Sequence, residues 1–107
     1  MSKNDELIAK YQLLLQQRPN DELLHFSLGK ALYDAGRLAE AEVQLQFALQ
    51  AKPDWMVVTM LLAKIALLRN DQVAAKVLYE RALGHAIDQQ HEGPEEEIRG
   101  ALDKLKS

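Results

Sequence analysis

The feature that most constrains this chain is a step of 34 residues. Pro19 and Pro53 stand one step apart, each followed by a helix-capping residue type, Asn20 and Asp54, and Asp88 marks the next step. Apolar and small residues keep the same interval: Leu28 and Gly29 return as Leu62 and Ala63, Ala41 as Ala75, Leu45 as Tyr79, and Ala48 and Leu49 as Ala82 and Leu83. Stepping backwards pairs Ala41 with Leu7, Leu45 with Tyr11, Ala48 with Leu14 and Leu49 with Leu15. A fixed period of this size marks a stack of supersecondary units, none of which can bury its apolar face alone.

The segments between these punctuation marks read as six helices. Leu7, Ile8, Tyr11, Leu14 and Leu15 form one helical stripe that Pro19 stops. A second helix starts at Asn20, carries Leu24, Leu28, Ala31, Leu32 and Ala35, and ends at Gly36, which is free to turn left-handed. A third runs from about Leu38 to Ala51. Asp54 is expected to cap a fourth, reaching about Arg69 and hydrophobic nearly all round. Asn70 and Asp71 make the next turn, and a fifth helix carries Ala75, Leu78, Tyr79, Ala82 and Leu83. Gly93 and Pro94 introduce a sixth, with Pro94 at the first helical position and Glu95, Glu96 and Glu97 facing its positive end. Connections of a few residues make neighbours antiparallel, so the chain is all-α, a stack of helical hairpins. The small residues Gly29, Ala41, Ala48, Ala63, Ala75 and Ala82 fall where two hairpin helices must approach closely.

These residues resemble the tetratricopeptide repeat (TPR) family, whose pattern is an aromatic-x2-Leu-Gly-x2-Tyr on one helix and Ala-x3-Phe, then Pro, on the next. One repeat, 22–55, reads His25-x2-Leu28-Gly29-x2-Leu32, then Ala41-x3-Leu45, Ala48 and Pro53. Another, 56–89, reads Thr59-x2-Leu62-Ala63-x2-Ala66, then Ala75-x3-Tyr79 and Ala82, with Ile87 in place of the proline. Residues 4–19 resemble the second half of a repeat, with Leu7-x3-Tyr11, Leu14 and Pro19, and 94–106 a C-terminal capping helix that fits only with a two-residue insertion. Neither repeat has the leading aromatic. The resemblance implies a single domain over 1–107, folded as a short right-handed solenoid.

It also implies that the first helices of the repeats line a concave surface that receives an extended peptide or helix of another protein. That places Leu23, Phe26, Lys30 and Tyr33 beside Val57, Met60, Lys64 and Leu67, an apolar groove with two lysines suited to a ligand carrying an acidic group. The alternative is that the sixth helix and folded side chains cover most of it. The Lys and Asn clamp by which some members hold C-terminal carboxylates is not matched, since the corresponding positions are Phe26, Lys30 and Leu61. In the first helix Ile8 and Leu13 stand where the repeats have charged or aromatic residues, and no hairpin partner covers Leu7, Tyr11 and Leu14. That stripe is a candidate surface for a homodimer. The alternative is that it packs on the second helix with Ile8 and Leu13 partly exposed. An accessory subunit docked on a larger complex is a further possibility open to the same sequence.

Chemistry is harder to find. The chain has no cysteine, which removes thiolate nucleophiles, disulfides and Cys-ligated metals. His85, Asp88, His91 and Glu92 are close in sequence but match no metal-binding spacing, so no metal and no cofactor is expected. His25 stands at the family's aromatic position and reads as a packing residue. Glu95 to Glu97 lie on a solvated helix start, with no apolar surroundings to make an acid of one of them. A net charge of −3, with basic and acidic residues interspersed, argues against nucleic acid as a partner. The most apolar stretch, Trp55 to Leu68, is interrupted by Thr59 and Lys64 and too short to span a bilayer. With a polar start from Met1 to Glu6 and no targeting segment, the expectation is a non-enzymatic, cytoplasmic protein that binds a protein or peptide.

Overall fold

The computed structural model describes residues 2–106, so Met1 and Ser107, the two ends of the expected domain, lie outside it. Its described residues form six α-helices and no strand: α1 (Lys3–Gln17), α2 (Glu22–Asp34), α3 (Leu38–Ala51), α4 (Met56–Leu68), α5 (Gln72–Asp88) and α6 (Glu92–Lys106). The chain divides between Pro53 and Asp54 into two compact units. In one, α2 packs on both α1 and α3; in the other, α5 packs on both α4 and α6. The fold class is all-α and built of antiparallel hairpins. No helix among the described residues is long and apolar enough to cross a membrane.

Three of the helices, α1, α2 and α5, start at a side-chain cap, and α2 and α4 each start one residue later than the sequence predicts. Asp21, not Asn20, caps α2, its Oδ1 accepting from the Leu24 amide at 3.1 Å. The reason is the proline: the Asp21 amide donates to the Arg18 carbonyl at 3.2 Å, closing a turn whose central residues are Pro19 and Asn20. Pro53 and Asp54 occupy the corresponding turn, so α4 starts at Met56 behind Trp55, which gives no side-chain cap, and Asp54 is not the cap. Ser2 and Asp71 cap α1 and α5 through the amides of Asp5 and Ala74, at 3.2 and 3.0 Å. Helix α6 begins at Glu92, two residues before the expected Pro94. Proline is accommodated there because first-turn N–H groups have no partner within the helix anyway.

Helix ends divide into two kinds. Helices α1 and α3 stop where the following proline disfavours the helical conformation at Arg18 and Lys52, both of which leave the helical region. Helices α2, α4 and α5 close with a left-handed residue, Gly36 (φ 78°), Asn70 (φ 62°) and Gln90 (φ 58°). In each, the next residue's amide reaches back to a carbonyl of the last turn: Arg37 to Leu32 at 2.9 Å, Asp71 to Ala66 at 2.8 Å and His91 to Ala86 at 2.9 Å. Gly36 and Asn70 are one 34-residue step apart. With Ile87 where α3 is followed by Pro53, nothing halts α5 there, and it continues to Asp88.

The core of the first unit is Ile8 of α1, Leu28, Ala31 and Leu32 of α2, and Ala41, Leu45 and Ala48 of α3, all buried. Full burial of one such leucine contributes roughly 1.5–3 kcal/mol. In the second unit, Met56, Met60, Ala63 and Ala66 of α4 form one cluster with Ala75, Tyr79, Ala82 and Ala86 of α5 and Ile98 of α6. Leu67, Leu78, Leu83, Ala101, Leu102 and Leu105 pack partly buried around it. Helix α6 is thereby held by one apolar stripe, Ile98, Ala101, Leu102 and Leu105.

Candidate functional site

In the first unit, the residues expected to meet a ligand all lie on α2. Leu23 is 60% exposed, and Phe26 and Tyr33 are half-buried. Lys30 is exposed but already paired, its Nζ lying 3.2 Å from Asp34 Oδ2 one turn on. An acidic ligand would have to compete with that carboxylate, so Lys30 is a weaker anion partner than its sequence position suggests.

In the second unit, the corresponding residues of α4 go different ways. Val57 is exposed, and Lys64 and Leu67 are half-buried. Met60 is only 8% exposed and belongs to the buried cluster that contains Ile98. The apolar stripe of α6 packs against the same cluster. Lys64 and Leu67 line a hollow of about 540 Å³ that also takes in Tyr79 of α5 and Glu96, Glu97, Gly100, Ala101, Lys104 and Leu105 of α6. Its apolar wall is Leu67, Tyr79, Ala101 and Leu105, and its charged residues are two lysines and two glutamates. The acidic pair and Lys104 escape the repeat reading because the insertion before α6 takes them off the 34-residue step. A signal was nonetheless present: Glu97, Gly100, Ala101 and Lys104 follow the i, i+3, i+4, i+7 spacing of one helix face.

On α1, the stripe expected to mediate self-association is split. Ile8 is buried inside the unit at 3% exposure, Tyr11 and Leu14 are half-buried, and Leu7 and Leu13 are exposed, Leu13 at 62%. His25 is a structural tie. Its ring stacks on Phe47 of α3, with centroids 3.8 Å apart and planes 27° apart. Its Nε2 donates to the Pro19 carbonyl at 2.7 Å, and Nδ1 meets Gln44 Oε1 at 2.7 Å. At the end of α5, His85 has a buried Nε2 without a hydrogen-bond partner among the described residues. Nor do three or more acidic or histidine side chains gather among those residues so as to hold a metal ion, and this includes His85, Asp88, His91 and Glu92.

Comparison with known proteins gives a likeness of fold. No family model matches the chain. A stretch of 46 residues is 44% identical to an uncharacterized protein of Aquifex aeolicus (strain VF5); the match takes in 43% of this chain and 6% of that protein's length. Among solved structures, PcrH, crystallised in complex with the chaperone binding region of PopD, superposes with a TM-score of 0.89 over 97% of this chain and 79% of its own, at 18% identity. The solution structure of BPP2914 from Bordetella parapertussis gives 0.83 over 94% of this chain and 87% of its own, at 24% identity.

Proposed function

We propose that this chain is a non-catalytic protein-binding module of the tetratricopeptide-repeat kind, acting in the cytoplasm, that holds a peptide or helix of another protein. The observation that carries the reading is the likeness of fold to PcrH, a structure that holds a region of a second protein. In support, α2 offers Leu23, Phe26, Lys30 and Tyr33, and α4 offers Val57, Lys64 and Leu67 beside a hollow with an apolar wall. Met60 is buried in one cluster with Tyr79, which lines the hollow, and is not an open contact. Panning a displayed peptide library on the full chain tests the reading. Enrichment of a shared peptide motif that Leu67→Lys abolishes would support it; no enrichment, or enrichment that Leu67→Lys leaves intact, would overturn it.

A second reading, a homodimer through α1, draws on the exposure of Leu7 and Leu13. Ile8 is already buried within the unit, so the dimer surface would consist of Leu7, Leu13 and the open edges of Tyr11 and Leu14. Sedimentation at high micromolar concentration would show a dimer that Leu13→Lys dissociates; a monomer would exclude it.

A further inference from the structure

The hollow between α4, α5 and α6 has a chemistry more specific than a general apolar groove. The face that α6 turns to it runs Glu97, Gly100, Ala101, Lys104, with Glu96 beside it, so the stripe is acidic at one end, basic at the other and nearly without side chains between. Seven residues of helix separate Glu97 from Lys104, about 10 Å along the axis. Lys64 lines the same hollow from α4, and among the described residues Lys64, Glu96 and Glu97 form no ion pair.

Gly100 is the centre of this arrangement. A glycine inside a helix destabilises it relative to alanine by about 1 kcal/mol. Neither backbone conformation nor close packing requires one here: its φ is not positive, and a Cβ built on it would meet nothing within 4 Å. What its missing side chain leaves is space, opening onto a wall of Leu67, Tyr79, Ala101 and Leu105.

Building on the protein-binding reading above, we propose that this hollow is a socket for one bulky apolar side chain of an extended partner peptide, flanked by a basic residue held by Glu96 and Glu97 and an acidic residue held by Lys104 and Lys64. In an extended peptide, side chains at alternate positions share a face and are about 6–7 Å apart. A basic residue two before the apolar anchor and an acidic residue two after it therefore reach both ends of the stripe. Since a peptide can lie in either direction, the socket selects for opposite charges on the two sides, not for their order.

Three fluorescein-labelled nine-residue peptides test this by anisotropy on the full chain. Each has a central Leu, flanked at the second residue on either side by Lys and Glu, by two Glu, or by two Lys. The mixed peptide should bind about threefold or more tighter than either like-charged one, the scale of exposed ion pairs. Replacing Glu96→Lys and Glu97→Lys should transfer the preference to the two-Glu peptide. Gly100→Leu should fill the socket and weaken all three by about tenfold or more, while leaving the melting temperature unchanged or higher. Equal affinity of the three peptides for the wild-type chain would overturn the proposal. So would Gly100→Leu binding them as the wild type does, or no binding at all. The broader protein-binding reading stands or falls separately, on whether the displayed library yields a motif.

Discussion

Gly29 and Leu45 meet across the α2–α3 hairpin so closely that a Cβ on Gly29 would lie 2.8 Å from Leu45 Cγ and 2.9 Å from its Cδ2. Leu45 is completely buried and has nowhere to retreat. Gly29→Leu is therefore expected to overfill the hairpin and destabilise it by about 1–3 kcal/mol. Gly29→Ala should act in the same direction and less strongly, even though alanine is the better helix former. Thermal unfolding checks both; an unchanged melting temperature for Gly29→Leu would contradict this packing.

Capping gives a second set of outcomes. Asp21→Ala and Asp71→Ala each remove the side chain that accepts from an otherwise unpartnered helix amide, and each should lower stability by about 1 kcal/mol. Asp54 sits in the turn before α4 and caps nothing, so Asp54→Ala should stay within about 0.5 kcal/mol. Urea midpoints of the three variants distinguish them.

His25 joins the Pro19 turn, α2 and α3 through a ring stack and two hydrogen bonds. His25→Ala should cost about 1–3 kcal/mol, the sum of a lost stack and lost hydrogen bonds. His25→Phe keeps a ring on Phe47 and loses only the hydrogen bonds, so its melting temperature should fall between those of the wild type and His25→Ala.

At the start of α3, Arg37 holds Glu40 in two parallel bonds, Nε to Oε1 at 2.9 Å and Nη2 to Oε2 at 2.7 Å. That hydrogen bonding holds the Glu40 carboxyl below its ordinary range. A carboxyl lowered in the folded state adds stability above its unfolded-state pKa and loses it as the pH falls through the folded value. The two side chains are about half exposed, at 42% and 54%, so the visible effect is on titration. Arg37→Gln should move the Glu40 midpoint upward when followed by carboxyl NMR, and an unmoved midpoint would contradict the pairing.

Much of this fold is legible in the sequence because it depends on local punctuation. The spacing places α3 at Leu38–Ala51, where it is found, and Gly36 does adopt the left-handed conformation. Boundaries shifted where two signals compete. Pro19 takes Asn20 into a turn and passes the cap to Asp21, and the absence of proline at Ile87 lengthens α5. The site was harder to read because it depends on what α6 covers. Met60 shares a register position with the half-buried Phe26, yet it is buried in one cluster with Ile98, which is off the 34-residue step by two residues. The same offset hides Glu96, Glu97 and Lys104 from any reading by repeat.

The most direct measurement is a backbone amide NMR titration of the full chain with the mixed-charge peptide. Shifts that saturate and concentrate at Lys64, Leu67, Gly100, Ala101 and Lys104, with Val43 and Val73 unmoved, are the expected result. Spectra that do not change, or changes centred on the exposed faces of α3 and α5 around Val43, Val73 and Val77, would contradict a peptide site at this hollow.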